Sequence, residues 1–527
     1  MLTEIETLPT AETHLAVGDS VHDSIERLCR QDPSALCFSL WQQGRWQPYS
    51  RAEFWQHVQR WSKVFSRSYE DQSLILFIKK LDVHLLAAYI GAMHAGHLPA
   101  QLSPLNSKTT HAEYSRKIRH ILELTHAKAL FVDSADNQAW LESNDLEVFT
   151  PETAPADVAS QSPSSNPLAL VQFSSGSTGL QKGVALRHSS LVAHMRSYSR
   201  AIGLSPQDRI ISWLPLYHDM GLIACYLMPL MCGVPFFQID TFDWLVRPDL
   251  LLQGIEEQQA TVCFLPNFAY PLLANKGKAR DLRSMRLFVN CSEPAREAAH
   301  RQFLTKFPTL NPSALTVSYA LAENTFAVSQ TLPGGLKAAR TGTGMPVLSC
   351  GPVIANTEVR IFDANDQGEG EIGIRGNFLF ESFTDGTRPL RDGFYLTGDL
   401  GFLSEGELYV TGRKKDIIIV NGKNIYPQDV EYVASGVPGV YPGRVACFGV
   451  TNDGFGTEDL FVIAETDGSR PPAEIRADVQ RAVADEVAIV PKRVEVIDHM
   501  SLSKTSSGKI SRSRNRELYL NKELTLL

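Results

Sequence analysis

An apolar run, Leu168–Phe173, leads into Ser174, Ser175, Gly176, Ser177, Thr178 and Gly179, with Lys182 three residues further on. Glycine lets a backbone come close to a ligand. Successive N–H groups and hydroxyls cradle an anion, and a lysine adds a point charge. Phosphate is the natural guest. The pattern is not a Walker A loop, which needs Gly before its Lys and Ser or Thr after it; here Gln181 precedes Lys182 and Gly183 follows. A plain Ser/Gly surface loop would require neither the strand leading in nor the placed lysine. Far along the chain, Lys504–Arg516 carries five positive charges and no negative one. On charge alone that segment would bind any anion.

Between these two segments, further motifs stand in a fixed order. They are Trp213-Leu-Pro-Leu-Tyr-His218-Asp-Met-Gly221, Thr261–Tyr270, Met285–Pro294, Ser318-Tyr319-Ala320-Leu321-Ala322-Glu323, Tyr395-Leu-Thr-Gly-Asp399, Gly412–Pro427 and Leu502–Arg512. Together with the Ser/Gly loop this order resembles the adenylate-forming superfamily of acyl-CoA synthetases, peptide-synthetase adenylation domains and luciferases. The stretches Tyr217–Gly221, Pro266–Tyr270 and Asn424–Asp429 resemble its fatty acyl-AMP ligase branch.

The resemblance implies ATP and Mg²⁺ as cofactors and assigns roles residue by residue. Ser174–Gly179 and Lys182 would hold the triphosphate, and His218 would sit beside the substrate carboxylate. Ser292, Glu293 and Pro294 would border the adenine, with Cys291 and Ser292 standing where the family usually has Gly-Ala. Ser318, Tyr319, Ala320, Leu321 and Ala322 would line the nucleotide, Tyr319 offering its aromatic face; Ala320 replaces a usual Gly. Glu323, with Thr178, would hold Mg²⁺, which commonly takes one or two carboxylates. Asp399 would accept both ribose hydroxyls, Arg413 would reach the ribose, and Lys415 takes the hinge position. Lys509 would be the catalytic lysine, in a loop where Ser503 replaces a usual Pro.

The implied reaction joins a fatty acid to AMP with release of pyrophosphate. The acyl group then passes to an acyl carrier protein, or to CoA if the chain is an acyl-CoA synthetase instead. A non-catalytic nucleotide-binding homologue is the third reading, and Lys182, Glu323, Asp399 and Lys509 together argue against it. In the acyl-AMP ligase branch an extra segment commonly follows the Glu323 motif and is linked to poor CoA use. Here only about 25 residues separate Thr325 from Cys350, so that insertion is abbreviated or absent.

The elements that must position these residues are legible as alternating patterns. Apolar runs Ser73–Ile78, Ala129–Val132, Leu168–Phe173, Ile210–Leu214, Val262–Leu265 and Leu287–Val289 read as buried strands. Helical patterns such as His84–Ala95 and Ala112–Leu124 lie between them, which predicts parallel α/β units. Thr153–Pro167 reads as a surface loop. Beyond Cys350, alternating strands with Gly turns (Glu358–Phe362, Gly370–Arg375, Glu407–Thr411) predict a β-rich subdomain, and a helix is expected near Pro472–Glu486. The expected fold is therefore α/β multidomain: residues 1–412 as α/β subdomains plus the β-rich subdomain, and 413–527 as a small mobile α+β domain.

At 527 residues the chain exceeds one ordinary core. A net charge of −8 argues against a nucleic-acid partner. No apolar run reaches the roughly 18–20 residues of a transmembrane segment, and the acidic start lacks a signal-peptide pattern. Eight scattered cysteines without a C-x-x-C pair read as reduced thiols, so a cytoplasmic location is expected.

Overall fold

The computed structural model describes residues 15–16, 18–66, 73–105, 110–134, 146–153, 166–173, 182–341, 344–420, 423–452, 457–505 and 509–527. The Ser/Gly loop, 174–181, and most of the predicted 153–167 loop lie outside the described residues.

The largest sheet has eight strands in the order Ala327–Gln330, Leu315–Ala320, Leu287–Asn290, Val262–Leu265, Ile210–Ser212, Phe236–Gln238, Leu36–Gln42 and Arg45–Ser50. Its six inner strands run parallel, and the two edge strands are antiparallel to their neighbours. Val262–Leu265 and Leu287–Asn290 are buried at every position, as strands covered on both faces must be. A second, all-parallel sheet holds Leu98–Gln101, Leu74–Ile78, Ala129–Val132 and Glu147–Phe149. The expected helices form as Val83–His94 and His111–Thr125.

One strand departs from the predicted parallel pattern. Leu168–Phe173 pairs antiparallel with Gly183–Arg187 in a separate three-stranded sheet completed by Ser382–Phe383. Only residues 174–182 join the two strands, too few for the crossover that parallel pairing needs.

The β-rich part is a six-stranded antiparallel sheet containing Thr357–Phe362, Gly370–Gly376, Tyr395–Ser404 and Glu407–Arg413. The segment after Glu323 is taken up by edge strands, Ala327–Gln330 in the large sheet and Ala338–Arg340 paired with Pro346–Pro352. Further along lie the pair Ile418–Val420/Lys423–Ile425, a three-stranded sheet (Val440–Asn452, Thr457–Thr466, Arg493–Ile497) and the helix Pro472–Val487. Their buried side chains form a core of their own, into which, among the described residues, Met345 alone reaches from before residue 418. All eight cysteines are buried free thiols. No helix among the described residues is long and apolar enough to cross a membrane.

Candidate functional site

Four neighbouring parallel strands of the large sheet end on the same edge. Ile210–Ser212 leads to His218 and Asp219, and Val262–Leu265 to Pro266–Phe268. Leu287–Asn290 leads to Ser292–Pro294, and Leu315–Ala320 to Leu321–Glu323. In open α/β sheets the crevice outside the carboxyl ends of the strands is where ligands bind. Most of the predicted site residues among those described therefore converge there because of sheet topology.

The His218 motif turns sharply. The His218 N–H donates to Pro215 O (3.2 Å), and a β-carbon at Gly221 would collide with the same carbonyl. The His218 ring packs edge-on to Tyr217, with centroids 4.9 Å apart. The Asp219 carboxylate accepts from the Met220 N–H (2.8 Å) and heads a π-helix, Met220–Leu227. Such helices are rare and frequent at functional sites. Burial raises the Asp219 pKa, opposed by the Met220 N–H and by the nearby Lys509.

Ser292 takes a positive φ of 75°, which turns its carbonyl outward. Lys509 Nζ donates to that carbonyl, bringing a residue from the far end of the chain into the crevice. Lys509 is held by backbone bonds: Thr505 N–H donates to Lys509 O (2.7 Å), and Ser511 N–H to Ser503 O (3.1 Å). Close by, Cys291 is buried and its thiol is pushed up to about 12. The Glu293 side chain turns back to accept from the Phe268 N–H (3.1 Å), and Pro294 is exposed.

On the other wall, Tyr319 OH donates to Asp399 Oδ2 (2.7 Å) and Arg413 Nε to Asp399 Oδ1 (2.8 Å). Asp399 and Arg413 are direct partners across two antiparallel strands, so their pairing is fixed by register. The Asp399 charge raises the Arg413 pKa. Ser318 Oγ donates to Ser329 O (2.9 Å), Leu321 N–H to Phe326 O (2.9 Å), and Ala320 and Ala322 lie on either side of Leu321.

Glu323 lies at the tip of this hairpin, and its carboxylate accepts from Tyr395 OH (3.2 Å). Burial raises its pKa, with Asp219 adding repulsion and Tyr395 and Arg413 opposing the rise. Two half-buried carboxylates in electrostatic reach of each other favour a small hard cation. Among the described residues no group of three or more His, Cys, Asp and Glu side chains could hold a metal by itself. That combination suits Mg²⁺, which keeps waters and shares phosphate oxygens rather than filling a protein cage. Thr178, the other predicted metal ligand, lies outside the described residues, as do Ser174, Ser175, Gly176, Ser177 and Gly179.

Lys182 stands apart from this group. Its Nζ lies 3.7 Å from Asp385 and 4.9 Å from the centre of the Phe383 ring. Packed rings lie between it and Glu323: Phe383 is 6.3 Å from Tyr395, which bonds the Glu323 carboxylate.

Sequence reading passed over three residues of the site: Asp219, Tyr395 and Arg296. A charged residue heading the apolar run Met220–Cys232 was the available signal for Asp219. Arg296 gave none. It donates to Gln428 O (3.1 Å) and Asp429 Oδ1 (3.2 Å) and lies 4.9 Å from the Tyr432 ring centre.

Comparison with known proteins identifies the family. The family model described as AMP-binding enzyme matches residues 25–383. A medium-chain-fatty-acid–[acyl-carrier-protein] ligase of Moorena producens is 31% identical over 406 residues, covering 68% of each chain. A Mycobacterium tuberculosis protein provisionally described as a fatty-acid–CoA ligase is 30% identical over 417 residues, covering 68% of this chain and 70% of that one. A structure from studies of fatty acyl-adenylate ligases of E. coli and L. pneumophila superposes with a TM-score of 0.85 at 25% identity, covering 96% of this chain and 98% of that one. The chain belongs to the AMP-binding enzyme family and is an acyl-adenylate-forming ligase.

Proposed function

We propose that this chain uses ATP to convert a fatty acid to its acyl-adenylate, and then transfers the acyl group to the phosphopantetheine thiol of an acyl carrier protein. The observation that carries the first half is Lys509, seated on the Ser292 carbonyl beside Asp219 on the edge that also bears Glu323.

The chemistry asks for this arrangement. A carboxylate attacks the α-phosphorus of ATP in line and pyrophosphate leaves, so two anions must be held together in one geometry. Lys509 is a cation delivered to the point where they meet. Asp399, paired with Arg413, is an acceptor suited to a ribose diol, and the Tyr319 ring beside it suits the base. His218 borders the acyl side. Glu323 and the Ser/Gly loop would hold Mg²⁺ and the triphosphate, the ion neutralising phosphate charge when bound. Lys182 would join them by leaving Asp385. The Asp385–Lys182 ion pair is more than a third exposed on both sides, so releasing it costs little.

Residues 413–527 act in this reading as a mobile unit that carries Lys509 in for adenylation and out for thiol attack, turning near Lys415. Lys415 lies in the single 3₁₀ turn Lys414–Asp416 between two strands. The carrier-protein acceptor is favoured by the stretches that resemble the acyl-AMP ligase branch. The competing reading, a CoA acceptor, is favoured by the short path from Thr325 to Pro346, which leaves no inserted segment to restrain the unit. Incubation with ATP, fatty acid and equal concentrations of CoA and holo-carrier separates them. Acyl-carrier should dominate by mass, and acyl-CoA at a comparable or greater rate would install the synthetase reading. Absence of acid-dependent pyrophosphate exchange with short-, medium- and long-chain acids would defeat both.

A further inference from the structure

Thr325, two residues past Glu323, has φ 66° and ψ −53° with its side chain wholly buried. Positive φ is an outlier for a β-branched residue. The turn is a γ-turn of the strained form: Phe326 N–H donates to Asn324 O at 2.7 Å across Thr325. Glycine would make such a turn without strain. Strained residues persist where the surroundings over-determine them, and they cluster at functional sites.

The surroundings here are specific. Thr325 Oγ1 donates to Phe378 O (2.7 Å), and two residues along the same segment the Phe380 N–H donates to Glu323 O (2.9 Å). Asn324 Nδ2 closes the loop onto Ala327 O (2.8 Å), while the Ala327 N–H donates to His194 Nε2 (3.1 Å). Burial holds the His194 pKa down at about 3, so its ring stays a neutral acceptor. Segment 378–380 thus holds the turn at two points, the Glu323 carbonyl and the Thr325 hydroxyl, while Tyr395 fixes the Glu323 carboxylate.

We propose that Thr325 is a positioning residue: its hydroxyl locks the strained turn onto Phe378 O and thereby aims the Glu323 carboxylate into the crevice. The inference rests on the proposed adenylation reading and adds the device that sets its acidic group. A side chain that only filled space would be replaced by valine without consequence for nucleotide binding. The hydroxyl makes the difference, because without it segment 378–380 holds only the Glu323 carbonyl and the inverted residue itself loses its tie to Phe378 O.

Three variants of the full chain test this, each by calorimetric titration with Mg·ATP, by pyrophosphate exchange and by thermal melting. Thr325→Val keeps the shape and loses the hydroxyl. Thr325→Gly loses the hydroxyl but adopts φ 66° freely, so it separates turn strain from anchoring. Thr325→Ser keeps the hydroxyl. Small misplacements at a reacting centre cost up to about a hundredfold. The expected result is Mg·ATP binding about tenfold weaker in the valine and glycine variants. The serine variant should stay within about threefold of wild type, and fatty-acid half-saturation in exchange should stay within about twofold throughout. Wild-type Mg·ATP affinity in the glycine variant would overturn the proposal, as would equal weakening of nucleotide and fatty-acid dependence or a serine variant as impaired as valine. If wild type binds Mg·ATP but shows no acid-dependent exchange, the adenylation reading fails instead.

Discussion

The two walls of the crevice are built on different principles. At the Asp399 wall, the carboxylate, Arg413 and Tyr319 are fixed by strand register and by one hydrogen bond between neighbouring sheets. At the Lys509 wall, the ammonium arrives from a loop more than two hundred residues away in sequence and touches one carbonyl. Further contacts accompany that approach: Arg296 on Gln428 O and Asp429, Tyr426 OH on Glu369, Gln428 Nε2 on Thr411 O, Lys414 on Glu371, and Lys504 at 5.7 Å from the Phe268 ring centre. The first wall is assembled by the fold and costs little to keep. On the proposed reading the second is assembled by a reversible meeting, which is what a group needed in one half-reaction and obstructive in the next would require.

The largest effect that could break this contrast is at Lys509. Removing a donor aimed at developing charge typically costs about 10²–10³ in rate. Lys509→Ala should lose adenylation to that degree while still using supplied acyl-adenylate, and its melting temperature should match wild type because one exposed contact is lost. An adenylation rate within a few-fold of wild type would remove Lys509 from the proposed chemistry.

Asp399→Asn should behave differently. It leaves Arg413 and the Tyr319 hydroxyl facing a neutral amide, and hydrogen bonds to charged groups are worth about 1.5–3 kcal/mol. Roughly ten- to a hundredfold weaker ATP binding is expected, accompanied by a lowered melting temperature. Weakened binding with unchanged stability would mean that the Asp399 wall is no more built-in than the Lys509 wall.

The regions also part in their response to acid. Every histidine except His499 lies before residue 413. Burial lowers His22 to about 4 and His188 and His194 to about 3, against the ordinary histidine value of about 6.5. Between pH 6.5 and 4 the unfolded chain binds protons that the folded chain refuses. Stability is therefore full above pH 6.5 and falls as pH drops, by about 2 kcal/mol per such histidine at pH 5. Melting at pH 7 and pH 5 should show a large drop assignable to the region before residue 413. Equal melting temperatures would show that these rings take up protons while folded.

How much was readable in advance follows the same division. Strands such as Val262–Leu265 and the order of the motifs were legible because burial and ligand contact constrain residue types locally. The antiparallel turn of Leu168–Phe173 was legible only through loop length, since an apolar run does not reveal its partner's direction. Arg296 was not legible at all: an arginine beside Pro294 looks like solvated surface until Asp429, distant in sequence, comes to meet it. Thr325 was hidden for another reason, since strain is a property of φ and ψ and residue type only hints at it.

The smallest effect sharpens the comparison most. Arg296 and Asp429 are both largely buried, with side chains 14% and 6% exposed, at the meeting of the two units. Burial raises the Asp429 pKa and the Arg296 charge draws it down, so each group depends on the other being docked. Arg296→Met keeps the stem over the Tyr432 ring and removes the charge. Asp429 is then desolvated without a partner whenever the units meet as they do here, but it regains water whenever they separate. The penalty therefore falls on the docked arrangement alone. Adenylation, which needs Lys509 in place, should slow by about tenfold; a penalty of about 1.4 kcal/mol on the docked arrangement suffices. Thioester formation from supplied acyl-adenylate should stay within about twofold or rise. Asp429→Asn in the Arg296→Met background should recover part of the adenylation rate, because no unpaired carboxylate remains to be buried. Equal loss in both half-reactions, or no recovery in the double variant, would show that Arg296 supports the fold generally and that the Lys509 wall is held by something other than this pair.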